Sequence, residues 1–351
     1  MKIALIADPE VAVPPLLYGG IERVLHFLAN GLHARGHDVT LFAHRDSHVS
    51  CRLVPYPGTR SNRVSDVGRN ALAIASSLLH RPVDLIHSFG RLATMAPLAV
   101  TAVPKLMSYQ RPVTPRSVRM ATRLFGSSLE FTACGRHMLE DVSALATWHV
   151  VPNGVPTDRY SFMPSVADDA PLVFLGRVEA IKGTDVAIEI ARRSGRSLII
   201  AGNVADEHRA FFAAAIEPHL DDRIQYVGPV DDQAKDRLLG RAAALLMPVH
   251  WDEPFGIVMA EALACGTPVI GFRRGAVPEI VEHGRTGFVV DSVPAMVDAV
   301  AKLDELSRDA CRRDAERRFS DRVIVDAYER LYHQRLSQHD AVVAGPRTYR
   351  A

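Results

Sequence analysis

Short apolar runs alternate with amphipathic segments along the first half of the chain. Apolar residues recur at helical spacing in VGRNALAIASSLLH and in GIERVLHFLANGLHARG, which ends in a glycine suited to a helix terminus. Buried strands are predicted for KIALIA, HDVTLFAH, VDLIHSF, PKLMSYQ and the shorter EFTAC and HVVPNGV. Continuous apolar strands separated by helices are typical of a parallel sheet covered on both faces, so we expect an α/β fold.

The same alternation starts again after residues 156–171, a segment rich in proline, aspartate and serine that we interpret as a linker. Strands are then predicted for LVFLGRV, SLIIAGN, IQYVGPV, ALLMPVH, PVIGF and TGFVVD, with helical segments between them. The pattern predicts two Rossmann-like domains, residues 1–160 and 170–320, facing each other across a ligand-binding cleft. We expect a helix over 321–338 to pack back toward the first domain, followed by a frayed tail over 339–351.

Composition argues against several classes of protein. The 351 residues are 48% hydrophobic and 23% charged, the balance of an ordinary globular protein. A net charge of +1 provides no attraction to nucleic acid, so no nucleic-acid partner is expected. No apolar run approaches the ~18 residues that span a bilayer, and MKIALIAD lacks the features of a signal peptide. Four scattered cysteines, without a C-x-x-C pair, indicate reduced thiols and a cytoplasmic protein.

The stretch EPFGIVMAEALACGTPVI, residues 253–270, contains two glutamates eight positions apart. It predicts a helix between two strands that begins near Pro254 or Phe255 and ends at Gly266. The first backbone N–H groups of this helix, near Gly256, would form an anion-binding site at the carboxyl edge of the sheet.

Glu261 lies inside the same helix, between apolar neighbours. An ionised carboxylate buried without partners is costly, so Glu261 needs hydrogen-bond donors, and a ribose diol would supply two. Glu253, just before the helix, can accept hydrogen bonds from neutral hydroxyls. The alternative interpretation is structural, with Glu253 capping the helix and Glu261 facing solvent.

The motifs of this chain resemble those of a known enzyme family. EPFGIVMAEALACGTPVI resembles the E-x7-E signature of the retaining glycosyltransferases of family 4, which have the two-domain GT-B fold. YGGIERV, VVPNGV, LGRVEAIKG and RRGAVPEIVEHGRTGFVV resemble that family's glycine loop, P-N-G-V segment, G-R-x-x-x-x-K-G stretch and downstream T-G-F segment. Because these motifs follow the family's order over nearly the whole chain, the resemblance is specific. It implies a glycosyltransferase that needs no cofactor and uses a nucleotide sugar, for which we expect a UDP-sugar.

The resemblance also implies which residues bind the donor. The family holds the nucleotide sugar in its second domain, where Arg177 and Lys182 match the cations that bind pyrophosphate. Two cations suit a leaving group that gains negative charge. Glu253 matches the residue that contacts the donor sugar, and Glu261 matches the ribose ligand. The other implied donor-binding positions are Gly19, Gly20, Phe255, Gly256 and Ile257.

Gly19 and Gly20 lie at the first strand-to-helix turn, where they expose N–H groups beside a helix N-terminus. The spacing is not G-x-G-x-x-G, so a dinucleotide site is not indicated. Glu22 and Arg23, which follow, either face the cleft or cap the helix.

Three further positions are placed on the acceptor or sugar side. Gln110 stands where many family members have a histidine near the reacting carbon, and glutamine can hydrogen-bond a sugar hydroxyl but cannot transfer a proton. A retaining mechanism in which the departing phosphate accepts the acceptor's proton needs no protein base there. His87, at the end of a strand, is either a site residue or a structural histidine. Asn153 belongs to the P-N-G-V segment.

Four arginines, Arg111, Arg116, Arg119 and Arg123, stand beside apolar residues. In one interpretation they form a basic surface that binds an anionic lipid or a phosphorylated acceptor. In the other, which we favour, they form the solvated face of a helix. The first interpretation would place the protein at the inner face of the membrane. No required metal is expected, because the chain has no Asp-x-Asp motif.

Two other functions remain compatible with the sequence. A sugar-nucleotide epimerase of the same fold would change the donor sugar without an acceptor. A sugar-nucleotide-binding partner subunit without turnover is favoured by Gln110, but the retained Arg177 and Lys182 argue against it. For the transferase, the acceptor is expected to be a glycan, a lipid or a small molecule.

Overall fold

The computed structural model describes residues 1–16 and 19–344, and the chain divides into two compact units. None of the helices in these residues is both long and apolar enough to cross a membrane. The first unit consists of residues 1–134, 138–152 and the C-terminal segment from Asp321, and the second of residues 135–137 and 153–320.

A parallel sheet forms the centre of the first unit. Its strands are β1 (Lys2–Ile6), β2 (Asp38–Ala43), β3 (Arg52–Pro55), β4 (Leu85–Ser88), β5 (Lys105–Tyr109), β6 (Leu129–Ala133) and β7 (Trp148–Val150). Within the described residues these strands pair in the order β3-β2-β1-β4-β5-β6-β7, all parallel. The helices along this part of the chain are α1 (Gly20–Ala34), α2 (Val64–His80), α3 (Leu92–Met95) and α4 (Pro115–Phe125).

The second unit repeats this architecture. Its strands are β8 (Leu172–Leu175), β9 (Leu198–Ala201), β10 (Ile224–Gly228), β11 (Ala244–Met247), β12 (Val269–Phe272) and β13 (Gly287–Val290). In the described part of the unit they pair as β10-β9-β8-β11-β12-β13, again all parallel. Its helices are α5 (Thr184–Ser194), α6 (Arg209–Ala215), α7 (Asp232–Gly240), α8 (Ile257–Ala264), α9 (Val277–Ile280), α10 (Val293–Val300) and α11 (Arg308–Phe319).

The strands are apolar because helices cover both faces of each sheet. The buried residues of β1 include Ile3 and Ile6, which have no solvent exposure, and β11 is buried along its whole length. Because parallel strands all end at one edge, the loops that follow them collect functional side chains at the carboxyl edge of each sheet. The expected Rossmann-like architecture of both halves is confirmed.

The last helix, α12 (Asp321–Ala344), packs on α1 in the first unit. A Cβ at Gly31 of α1 would lie 2.8 Å from a methyl of Val325, so only glycine allows this approach. Nε2 of His37 lies 2.7 Å from Oε1 of Glu329, which adds a polar contact. Residues 339–344 are helical, so the expectation of a frayed tail from 339 is wrong for them, and residues 345–351 lie outside the described residues.

Two predicted boundaries also differ from the structure. The second unit begins at Asn153, ahead of the predicted linker, because Val155 forms a parallel bridge with Ser320. Helix α8 begins at Ile257, later than predicted, because Gly256 caps it in the left-handed conformation with φ of 72°. The loop between β11 and α8 is therefore three residues longer than a helix start at Pro254 would give.

Candidate functional site

The loop between β8 and α5, residues 176–183, carries Arg177 and Lys182 at the carboxyl edge of the second sheet. Backbone hydrogen bonds hold it from two sides, since Val178 N donates to Asn203 O at 3.0 Å and His250 N donates to Ile181 O at 2.8 Å. Gly183 ends the loop with φ of 72°, and a Cβ there would overlap the carbonyl oxygen of Pro248. This loop is therefore fixed by the strands and loops beside it.

Lys182 and Glu253 form an ion pair in the second unit. Oε2 of the buried Glu253 accepts hydrogen bonds from Nζ of Lys182 and, at 3.1 Å, from Nε1 of Trp251. The ammonium group lies 4.7 Å from the centroid of the Trp251 ring, a cation–π distance. The residue expected to bind phosphate and the one expected to bind sugar thus contact each other directly.

Arg177 has a carboxylate partner of its own. Nη2 of Arg177 lies 2.8 Å from Oε1 of Glu179, which is buried. The other carboxylate oxygen, Oε2, lies 3.1 Å from Nε2 of His208 in the loop after β9. Each cation of the 176–183 loop is therefore paired with a buried glutamate, and sequence patterns identified only one of these two glutamates.

Glu261 is buried in α8, with 5% of its surface exposed. Its Oε1 accepts hydrogen bonds from Nζ of Lys235 on α7 and, at 2.7 Å, from the Tyr160 hydroxyl. The hydrogen-bond donors that a buried Glu261 needs are thus supplied by protein side chains. Its burial excludes the interpretation in which Glu261 faces solvent. Among the described residues both hydrogen bonds go to Oε1, which leaves Oε2 for a further donor. Motif spacing did not identify Lys235 or Tyr160.

The N-terminus of α8 lies four residues after Glu253, at Ile257. Gly256 is its cap residue, and its carbonyl oxygen accepts a hydrogen bond from Met259 N at 2.9 Å. The N–H groups of Ile257 and Val258 precede the first hydrogen-bonded turn and have no acceptor within the helix. The Phe255 ring is buried and lies 5.8 Å from the ring of Phe319, centroid to centroid. Phe255 is therefore a core side chain, and only its backbone is suited to a ligand.

Glu279 of α9 fixes the short segment 135–137 within the second unit. It accepts hydrogen bonds from the backbone N of Arg136 at 2.8 Å and of His137 at 2.9 Å, and Nδ1 of His137 lies 2.9 Å away. Burial opposes ionisation of Glu279, but the hydrogen bonds from His137 and Arg136 lower its pKa. This glutamate, part of the motif segment after β12, has a structural role.

At the carboxyl edge of the first sheet, two buried carboxylates flank the glycine loop. Asp8 follows β1, and Glu22 lies in the first turn of α1, where its Oε2 is so close to Gly19 that a Cβ there would be 2.8 Å away. Burial raises the pKa of both carboxyl groups, and the charge of Asp8 raises that of Glu22 further. Nη2 of Arg111 is 3.9 Å from Oδ2 of Asp8. Asp8 was not identified from the sequence, and Tyr18 of the glycine loop lies outside the described residues.

The three residues expected on the acceptor side are divided between the two units. His87 is fully buried, with Nδ1 2.6 Å from the Tyr332 hydroxyl and Nε2 2.7 Å from Oγ of Ser108, and burial lowers its pKa to about 3. The site role of His87 is therefore wrong, because its ring is enclosed and both nitrogens are engaged. Gln110 directly follows β5, whereas the buried Asn153 belongs to the second unit.

Two family models match successive parts of the chain. The model described as "Glycosyltransferase Family 4" matches residues 18–159, and the model described as "Glycosyl transferases group 1" matches residues 163–323. The boundary between the two matches falls close to the start of the second unit at Asn153.

Relatives and solved structures agree with these matches. N-acetyl-alpha-D-glucosaminyl L-malate synthase of Bacillus anthracis is 35% identical over 123 residues, and the match spans about a third of each protein, 33% of this chain and 32% of the relative. Glycogen synthase of Mycobacterium tuberculosis is 26% identical over 339 residues, 78% of this chain and 79% of the relative. The crystal structure of AviGT4, a glycosyltransferase involved in avilamycin A biosynthesis, superposes with a TM-score of 0.73 at 26% identity, covering 96% of this chain and 98% of that one. The chain belongs to the family 4 glycosyltransferases and has their two-domain GT-B fold.

Proposed function

We propose that this protein is a retaining glycosyltransferase that transfers a sugar from a nucleotide sugar, with a UDP-sugar as the expected donor, to a hydroxyl of its acceptor. The carrying observation is the position of Arg177 and Lys182 on a fixed loop, with Lys182 paired to Glu253 in the loop that leads into α8. Two cations and a helix N-terminus together suit a pyrophosphate.

Donor binding would exchange one partner of Lys182 for another. In this structure the ammonium group contacts Glu253, and a pyrophosphate oxygen would take its place. The released Glu253 carboxylate can then accept a hydrogen bond from a hydroxyl of the donor sugar. The exchange couples the two ends of the donor, because the sugar ligand becomes available only when phosphate is bound.

In the proposed reaction, the bond between the anomeric carbon and the phosphate oxygen breaks, and the electron pair leaves with the nucleoside diphosphate. The acceptor hydroxyl forms the new bond to the anomeric carbon on the same face. Its proton passes to the departing phosphate oxygen, so no protein base is required, and Gln110 is compatible with activity. Arg177 and Lys182 stabilise the charge that develops on the leaving group.

The ribose is assigned to Glu261. Its Oε2 would accept a hydrogen bond from a ribose hydroxyl, while Lys235 and Tyr160 hold Oε1. This arrangement orients the carboxylate before the nucleotide binds.

The test compares Arg177→Ala with Arg193→Ala, a matched control on α5 whose exposed side chain pairs with Glu189 at 2.9 Å. A thermal-shift panel of UDP, GDP, ADP and their sugars first identifies the donor. Arg177→Ala should then reduce kcat/KM by ~10²-fold or more, the effect of one lost transition-state contact, and Arg193→Ala should not. Equal activity in both variants would refute the assignment.

The relatives and the solved structure named above are two synthases and a glycosyltransferase. For this reason we do not propose a sugar-nucleotide epimerase as a second function. Incubation of the donor alone remains a direct check. An epimerase would convert the sugar while the nucleotide sugar stays intact, whereas a transferase would yield only slow hydrolysis. Measurable hydrolysis would also exclude a binding subunit without turnover.

Peripheral binding to an anionic membrane is a second proposal, and it rests on α4. Arg116, Arg119 and Arg123 are exposed, and the adjacent Met120 and Leu124 are 56% and 44% exposed. A basic helix with exposed apolar side chains suits an anionic lipid surface. After sedimentation with phosphatidylglycerol vesicles, the wild-type protein should be found in the vesicle pellet and the double variant Met120→Ser/Leu124→Ser in the supernatant. Equal sedimentation with neutral phosphatidylcholine vesicles would contradict a charge-dependent surface.

A further inference from the structure

Glu179 connects two loops at the carboxyl edge of the second sheet. It is only 4% exposed, and its two oxygens contact different loops, with Oε1 2.8 Å from Arg177 Nη2 and Oε2 3.1 Å from His208 Nε2. His208 belongs to the turn that leads into α6 after β9. One buried carboxylate therefore ties Arg177 to the neighbouring strand's loop.

The contact between Glu179 and Arg177 is ionic rather than a well-aligned hydrogen bond. Oε1 of Glu179 is buried and, despite the short distance, has no hydrogen bond from any described residue. Nε of Arg177 is likewise buried with no acceptor in the described part of the chain. A buried donor without an acceptor costs free energy. The described residues therefore leave part of the hydrogen-bonding capacity of the Arg177 guanidinium unused. A side chain held in this way is prepared for an external anion.

We propose that Glu179 is a positioning residue, which holds the Arg177 guanidinium in place for the donor pyrophosphate. This inference rests on the proposed function, since it needs Arg177 to bind the pyrophosphate. Glu179 does not touch the donor and acts only through Arg177. Neither the glycosyltransferase motifs nor the ion pair of Lys182 assigns it this role.

Two physical effects of Glu179 oppose each other, and their balance gives the test its direction. A nearby negative charge repels a phosphate, so removing it would strengthen nucleotide binding. Removing it also frees Arg177 to adopt other rotamers, which would weaken binding through lost preorganisation. If positioning dominates, neutralising Glu179 must weaken binding.

The experiment is a double-mutant cycle on the affinity for the nucleoside diphosphate that the panel of UDP, GDP and ADP selects. Calorimetry is performed on the full chain for the wild type, Arg177→Ala, Glu179→Gln and the double variant. Glu189→Gln on α5 is the matched control, because Glu189 pairs with Arg193 at 2.9 Å but is exposed. Glu179→Asp keeps the charge and serves as the second variant if Glu179→Gln does not fold, with circular dichroism as the check.

We expect Glu179→Gln to weaken binding by about five- to tenfold, the scale of the entropy lost when one long side chain must be ordered on binding. In the Arg177→Ala background the same change should have less than about a twofold effect, because a residue that acts through Arg177 has nothing left to position. Glu189→Gln should match the wild type, and Glu179→Asp should lie between wild type and Glu179→Gln. The corresponding nucleoside monophosphate should be bound equally by all variants.

Three results would overturn the inference. Wild-type or tighter affinity in Glu179→Gln would mean that charge repulsion dominates, and an equal loss in both backgrounds would mean that Glu179 acts independently of Arg177. In either case a weakened Arg177→Ala would leave the proposed function intact. Wild-type affinity in Arg177→Ala would instead refute the pyrophosphate assignment and the inference with it.

Discussion

The pair formed by Glu261 and Lys235 gives the sharpest prediction, because it separates stability from binding. Both side chains are buried, and neutralising one partner of a buried pair typically costs ~3–5 kcal/mol by leaving a buried charge uncompensated. Lys235 also lies 3.4 Å from the exposed Asp232, which compensates part of its charge. We therefore expect Glu261→Gln to lower the free energy of unfolding by about 3 kcal/mol, the lower end of that range.

Urea unfolding of three variants measures this cost. Glu261→Gln and Lys235→Met should each be destabilised, whereas the double variant should recover most of the loss because no unpaired charge remains. The urea concentration at the unfolding midpoint should fall while the m-value stays the same, which indicates a change in stability and not in the unfolded state. Losses that simply add in the double variant would contradict a direct pair.

Binding to the ribose needs a readout that stability does not affect. The ratio of dissociation constants for 2′-deoxy-UDP and UDP, and for 3′-deoxy-UDP and UDP, reports only on the missing hydroxyl. A hydrogen bond to a charged group contributes ~1.5–3 kcal/mol, or about 10- to 150-fold in affinity, so wild type should discriminate against one deoxy analogue by that factor. Glu261→Gln should lose most of the discrimination. If the variant discriminates as well as wild type, Glu261 has a structural role only.

Other predictions follow from the remaining charged groups. Glu253→Ala should not weaken UDP binding, because UDP carries no sugar to contact and Lys182 loses a competing carboxylate, but it should lower turnover by ~10²-fold; loss of UDP binding in calorimetry would reverse the assigned orientation. Because burial raises the pKa of Asp8 and Glu22, each stabilises the fold below its unfolded pKa of about 4 and loses that contribution as pH rises through the raised value. Asp8→Asn should therefore raise the Tm more at pH 8 than at pH 4, and a pH-independent change would be inconsistent with this sign. His87→Phe should lower the Tm by several degrees while leaving kcat/KM within about threefold, because the ring is enclosed; selective loss of activity would restore a site role.

Local periodicity was enough to predict every strand of the second sheet and all strands of the first except β3. Apolar runs such as KIALIA and SLIIAGN are short and buried on both faces, and this signal depends only on neighbouring residues. The edge strand β3 (Arg52–Pro55) was missed, since its alternation is weak and its residues are partly exposed. The start of α8 was misplaced because a left-handed glycine at Gly256 extends the turn after Pro254, and sequence patterns do not specify that conformation.

The partners of the predicted site residues were beyond the reach of motif analysis. Glu179 meets His208 only because the loops after β8 and β9 lie side by side, and Lys235 meets Glu261 only because α7 packs beside α8. Such contacts join residues far apart in the chain, whereas motifs describe residues close together. The error over His87 has the same cause, since its enclosure depends on Tyr332 from the other end of the chain.

The charged residues assigned to donor binding are paired with one another or with a neighbouring side chain of the second unit, and in the proposed function this pairing constrains how the donor binds. Arg177 is paired with Glu179, Lys182 with Glu253, and Glu261 with Lys235. In the proposed function the pyrophosphate binds Lys182, so it must compete with Glu253 for this cation. Because the Lys182–Glu253 pair must break, the affinity for free phosphate would be lowered. When a nucleotide sugar binds, the released Glu253 carboxylate would be free to contact its sugar. The site thereby favours a ligand that carries both a pyrophosphate and a sugar hydroxyl, since only that ligand compensates both partners of the broken pair.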